Sequence, residues 1–105
     1  MKKVAIFFLL AMSVAACVTI NPYYRLGTNA EINKQYDMAI KYYEKAALEN
    51  PKEAVYRLAL ARAKSAATLF HIDNARTLAA QGKKKEALGE YALALFYEPL
   101  SLIHI

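Results

Sequence analysis

Hydrophobic positions divide the chain into three stretches. Val4 to Ala16 is almost wholly apolar and has no period. From Asn21 onward, apolar residues recur three and four apart, the spacing of one face of an α-helix. Tyr36, Ala39, Ile40, Tyr43, Ala46 and Ala47 make one such face, and Lys41, Glu44, Lys45 and Glu49 lie off it. Ala87, Leu88, Tyr91, Ala94 and Leu95 repeat the pattern near the end. After Pro99 the residues Leu100–Ile105 are again apolar, without helix caps.

Capping residues set the bounds of the helical part. Asn21-Pro22 reads as the N-cap and first position of a helix that runs to about Asn33, with a turn at Lys34-Gln35. A second helix is expected from Tyr36 to Glu49. Asn50-Pro51 stops it, because the residue before proline avoids the α region. Asn50, Pro51 and Glu53 then read as a variant capping box for the next helix. No glycine or proline interrupts Lys52 to Gln81, and Gly82 is a C-terminal stop. A last helix runs from about Lys84 to Tyr97, and Pro99 ends it. The expected fold class is therefore all-α.

Composition narrows the function classes. With 105 residues there is room for one small domain. A hydrophobic share of 57% excludes a disordered chain, and three glycines and three prolines argue against a turn-rich β fold. A single cysteine excludes an intrachain disulfide and a multi-cysteine metal site. No metalloprotease, CxxC, nucleophile-elbow or phosphate-loop motif is present. His71 and Asp73 stand two apart on a helix, so their side chains diverge; His71 reads as a surface or groove residue. Lys83–Lys85 follow the C-terminus of the long helix, where cations suit its dipole. The expectation is a non-enzyme with no cofactor and no metal.

The first residues supply an address. Met1-Lys2-Lys3 is basic, and the thirteen mostly apolar residues after it would span about 20 Å as a helix, short of the roughly 30 Å hydrocarbon core. This is the build of a signal peptide. Val14-Ala15-Ala16-Cys17 resembles the lipobox of bacterial lipoproteins. That resemblance implies cleavage before Cys17, lipidation of its thiol and anchoring by several acyl chains, where one chain is marginal. Val18 stands where an aspartate is associated with inner-membrane retention, which implies the periplasmic face of the outer membrane. An ordinary cleaved signal with an incidental cysteine, or an uncleaved anchor, are the other readings. Without Lys2 and Lys3 the formal charge falls from +5 to +3. Export opposes a nucleic-acid partner, and the basic excess reads as solvated surface.

The mature part resembles the tetratricopeptide repeat, a helical hairpin of about 34 residues. The match covers about residues 20 to 53: Tyr23, Leu26, Gly27, Ala39, Tyr43, Ala46 and Pro51 stand at its key positions, and only Ala30 departs. A second register places Ala75, Ala87, Tyr91, Ala94 and Pro99 in turn, while His71 and Asn74 depart from the large apolar types expected there. The resemblance implies that these are packing residues and that the partners are proteins. Ala39 to Ala87 is 48 residues, so the hairpins are not in tandem. The excess over one repeat is close to four helical turns, which keeps the face in phase. One long helix over 52–81 follows, roughly 45 Å long; a break near Ser65 or His71 is the alternative.

The expected organisation is a lipoprotein signal peptide (1–16), a lipidated N-terminus and linker (17–21), a repeat-like helical domain (22–99) and a non-native or disordered tail (100–105). That last hexapeptide resembles a translated adapter sequence, which leads to the expectation that the natural protein continues past Pro99. The order of lipobox, repeat, long Ala/Arg-rich helix and second hairpin resembles the N-terminal helical region of some outer-membrane secretins. That would make the chain a docking module in a secretion or pilus component, with ring-forming copies of itself. A stand-alone lipoprotein scaffolding envelope assembly is the competing reading. Partner contacts are expected in the groove between the first hairpin and the long helix, with Tyr24, Tyr42 and Tyr56 as aromatic anchors and Arg57, Arg62 and Lys64 as charges for an acidic segment.

Overall fold

A computed structural model describes residues 20–98. The expected signal peptide, Cys17, Pro99 and the tail lie outside the described residues. Four helices follow one another: α1 (Pro22–Ile32), α2 (Tyr36–Glu49), α3 (Ala54–Ala80) and α4 (Lys84–Tyr97). No strand occurs among the described residues. The main packing pairs are α1 on α2, α2 on α3 and α3 on α4. The fold is all-α, two helical hairpins joined through α3, which runs unbroken for 27 residues.

Asn21 starts the first hairpin and also closes it. Its side-chain oxygen accepts from the backbone N–H of Tyr23 at 2.8 Å, capping α1. Its amide nitrogen donates to Glu49 at 2.9 Å and to Asn50 at 2.8 Å, tying the start of α1 to the end of α2. Asn50 is thereby occupied, and its own N–H closes α2 on the Ala46 carbonyl. The capping box expected over Asn50–Glu53 consequently does not form. Pro51-Lys52 makes a turn, and α3 begins at Ala54 with Glu53 as an N-cap lacking a side-chain bond.

The two hairpins turn in the same way. Lys34 and Gly82 both take the left-handed conformation, at φ 60° and 80°. Behind them Gln35 donates to the Ala30 carbonyl at 2.8 Å and Lys83 to the Leu78 carbonyl at 2.9 Å. Both are Schellman-type closures. They stand 48 residues apart, the same interval as Ala39 to Ala87.

Alanines form most of the core. Ala39, Ala46, Ala59, Ala63, Ala67, Ala75, Ala87 and Ala94 are buried, with Ile40, Tyr43, Tyr56 and Ile72 between them. Small residues let the helix axes approach, and the larger side chains fill the grooves that remain. In α4 the expected face is corrected. Ala87 and Ala94 are buried, but Leu88 is 68% exposed and Leu95 48%. One residue is about 100° of turn, so Leu88 and Leu95 lie on a shoulder beside the seam with α3. Leu26 of α1 keeps 44% of its surface exposed.

Candidate protein-interaction surface

Tyr43 organises the junction of α1, α2 and α3. Its ring is fully buried against Gly27, and its hydroxyl donates to Glu31 at 2.8 Å. Burial, and the neighbouring Glu31 carboxylate, push its hydroxyl above the ordinary tyrosine value, although Thr28 works the other way. Tyr24 leans on both Tyr43 and Tyr56, with ring centroids 5.7 and 5.2 Å apart.

This geometry changes what the sequence-predicted contact residues can offer. Tyr24 and Tyr42 are half-buried, and Tyr56 is buried, not a surface anchor. Tyr56 opens the α3 stripe Tyr56-Ala59-Ala63-Ala67, and that spacing aims it into the core. Arg62 is paired within the fold, with its side chain still 57% exposed. Its guanidinium grips Glu31 of α1 with two bonds of 2.9 and 2.8 Å. The Arg62 hydrogen bond is the main reason that Glu31 stays below the usual carboxylate range. Arg57 donates to the Pro51 carbonyl and keeps an exposed side chain, and Lys64 is half-exposed.

A shallow groove runs between α2 and α3. Glu44, Ala47 and Leu48 line it from α2, Pro51 from the turn, and Arg57 and Leu60 from α3, around about 370 Å³. Its lining is mostly apolar, with Leu48 80% exposed, and Glu44 and Arg57 bring one charge of each sign. A mostly apolar lining with a charge of each sign suits a protein segment better than a small polar molecule.

A second polar cluster, absent from the sequence reading, joins α2, α3 and α4. His71 is 4% exposed, not a surface residue. Its Nδ1 stands 2.5 Å from Glu90 of α4, and its Nε2 stands 3.1 Å from Asp37 of α2. The Tyr97 ring stacks on the imidazole with centroids 6.1 Å apart. Burial works against charge on His71, but the bonds to Asp37 and Glu90 outweigh it and raise its pKa. Burial also opposes ionisation of Asp37, and bonds from Tyr97 and His71 outweigh it, lowering its pKa. The Tyr97 hydroxyl is pushed up to about 12 by burial and by Asp37. With a carboxylate on each nitrogen, the imidazolium satisfies both and the neutral ring only one. Bridging three helices around the buried His71, the cluster is a structural clamp. Among the described residues no group of His, Cys, Asp or Glu is arranged to hold a metal ion.

Of the repeat positions, Tyr23 and Tyr91 are half-buried, Pro51 is exposed in its turn, and Gly27 is buried. Leu48 and Leu60, which line the groove, were missed by sequence reasoning. The available signal was a leucine just beside a core alanine, Leu48 two places after Ala46 and Leu60 one after Ala59.

Comparison with curated proteins and with solved structures gave no match. A comparison with protein families gave one: residues 20–53, the first hairpin through the turn into α3, match the tetratricopeptide-repeat family. The chain is thus TPR-like over this hairpin, a type of unit that serves as a protein–protein interaction module and is typically non-catalytic.

Proposed function

We propose that this chain is a protein-docking module of a bacterial outer-membrane lipoprotein, lipidated at Cys17 and working in the periplasm. The observation that carries the docking part is the repeat hairpin at residues 20–53 beside an open apolar groove. The lipobox-like Val14-Ala15-Ala16-Cys17 run supports the anchor, and Val18 supports the outer membrane. Within that compartment we assign the module to a secretin-type secretion or pilus component, in line with the order of lipobox, repeat, long Ala/Arg-rich helix and second hairpin. Its partners are envelope proteins, and copies of itself where a ring forms.

Metabolic labelling tests the anchor. In a Gram-negative host, labelled palmitate should enter the protein, and Cys17→Ser should abolish it. Equal labelling of the variant would contradict lipidation at Cys17. Partner identity separates the two envelope roles. Secretion or pilus components crosslinked to the chain support the secretin assignment, and outer-membrane assembly factors would replace it with a stand-alone scaffold.

A further inference from the structure

In a stack of two-helix units each leading helix is covered by its own following helix. The first half of α3 has none, because the chain continues straight for four turns beyond the repeat spacing before α4 folds back. α4 packs along the second half of α3, where its Glu90 and Tyr97 meet His71 and where the stripe Thr68, Ile72 and Ala75 is buried. Followed backwards at the same three- and four-residue steps, that stripe becomes Lys64, Ala61 and Arg57. Where no helix lies, the stripe carries two cations with an exposed alanine between them. The boundary falls beside Ser65, which donates to Glu98 just beyond α4. Ala47 and Leu48 of α2, across from the cations, and Leu60 of α3, beside them, give the uncovered slot its apolar lining.

We infer that this slot between α2 and the first half of α3 receives an acidic amphipathic helix from a protein partner. Its apolar side rests on Ala47, Leu48 and Leu60, and the short Ala61 side chain leaves room for its backbone. Arg57 and Lys64 are seven residues apart, two helical turns or about 10 Å. Two acids seven apart on the partner helix therefore face both cations. Apolar burial supplies the attraction, and the cations select the sign of the partner's charge. Glu44 on the α2 side sets the polarity across the slot, so the partner's acids belong on the α3 side only. This inference rests on the docking reading above and names the occupant of its groove.

The test uses the mature chain and a fluorescein-labelled helical peptide of about four turns. It carries leucines at i, i+3, i+4 and i+7 and glutamates seven apart along one flank. A second peptide carries lysine for glutamate. Binding is read by anisotropy against salt. The acidic peptide should bind and the lysine peptide should not. The variant Arg57→Gln/Lys64→Gln, whose side chains lie outside the core, should bind the acidic peptide about fivefold more weakly. Lys84→Gln/Lys85→Gln, which removes the same charge elsewhere, should bind it as the wild type does. Leu48→Asp should weaken it. Equal binding of both peptides, wild-type affinity in Arg57→Gln/Lys64→Gln, the same loss in Lys84→Gln/Lys85→Gln, or no binding of the acidic peptide would overturn the inference. So would capture by vesicles containing phosphatidylglycerol, through the same cations, without peptide binding. Palmitate labelling at Cys17 and envelope crosslinking are unaffected by that failure, so the docking reading is judged separately.

Discussion

A Cβ on Gly27 would stand 2.5 Å from Cε1 of Tyr43, closer than real Cβ contacts come. The glycine is a matter of space, since the Tyr43 ring is fully buried and held by its bond to Glu31. Gly27→Ala should therefore overpack the first hairpin and cost about 1–3 kcal/mol, measured by urea unfolding. Gly89, with nothing near its absent Cβ and a place inside α4, should gain stability on substitution by alanine, by about 0.5–1 kcal/mol.

Ala39 and Ala46 are wholly buried where α2 meets its neighbours. Ala39→Leu or Ala46→Leu should cost about 1–3 kcal/mol. Lys41→Leu, on the exposed side of the same helix, should stay within about 0.5 kcal/mol of wild type. Equal losses at Ala39 and Lys41 would contradict the assigned face of α2.

Lys34 and Gly82 close equivalent turns, but only one is a glycine. A residue with a side chain pays about 1–2 kcal/mol for the left-handed conformation. Lys34→Gly should stabilise the chain by several tenths of a kcal/mol after the entropy of glycine is subtracted, and Gly82→Ala should destabilise it by about 1 kcal/mol or more. Thermal unfolding of the two variants checks the pair, which should move in opposite directions.

The His71 clamp predicts a stability window in pH. A raised pKa on His71 means that its contribution is complete below the ordinary imidazole value of about 6.5 and is lost as pH rises through the higher folded value. A lowered pKa on Asp37 means that its contribution is complete above the ordinary value of about 3.8 and is lost as pH falls through the lower folded value. The two overlap in mildly acidic solution. Lys41 and Glu44 of α2 also act on the cluster electrostatically, Lys41 through Asp37 and Glu44 through Tyr97. The melting temperature should decline from mildly acidic to mildly alkaline pH, and His71→Gln should remove most of the decline. A flat wild-type profile would contradict the imidazolium clamp.

Much of the helical layout was legible because capping residues announce it. Asn21-Pro22 marks the start of α1, and Gly82 the turn before α4. The start of α3 was not legible, since the best local cap, Asn50, is used by α2 and by Asn21 across the hairpin. The exposed shoulder of α4 was hidden for another reason: the helix is apolar nearly all round, so period alone does not select a face. The Glu31–Arg62 pair and the His71 clamp join residues 31, 34 and 19 apart, and nothing local signals them. Tertiary packing likewise turned Tyr56 from a surface anchor into a core ring, and it paired the exposed Arg62 with Glu31.

The face between the first hairpin and α3 is the proposed meeting place with an envelope protein. A photo-crosslinking residue at Leu48 or Arg57, compared with one at Lys84 in the lipidated chain, tests it most directly. Mass spectrometry of envelope preparations should then find a defined secretion, pilus or assembly protein enriched at Leu48 and Arg57. Crosslinks no denser there than at Lys84 would show that this face is not the working one.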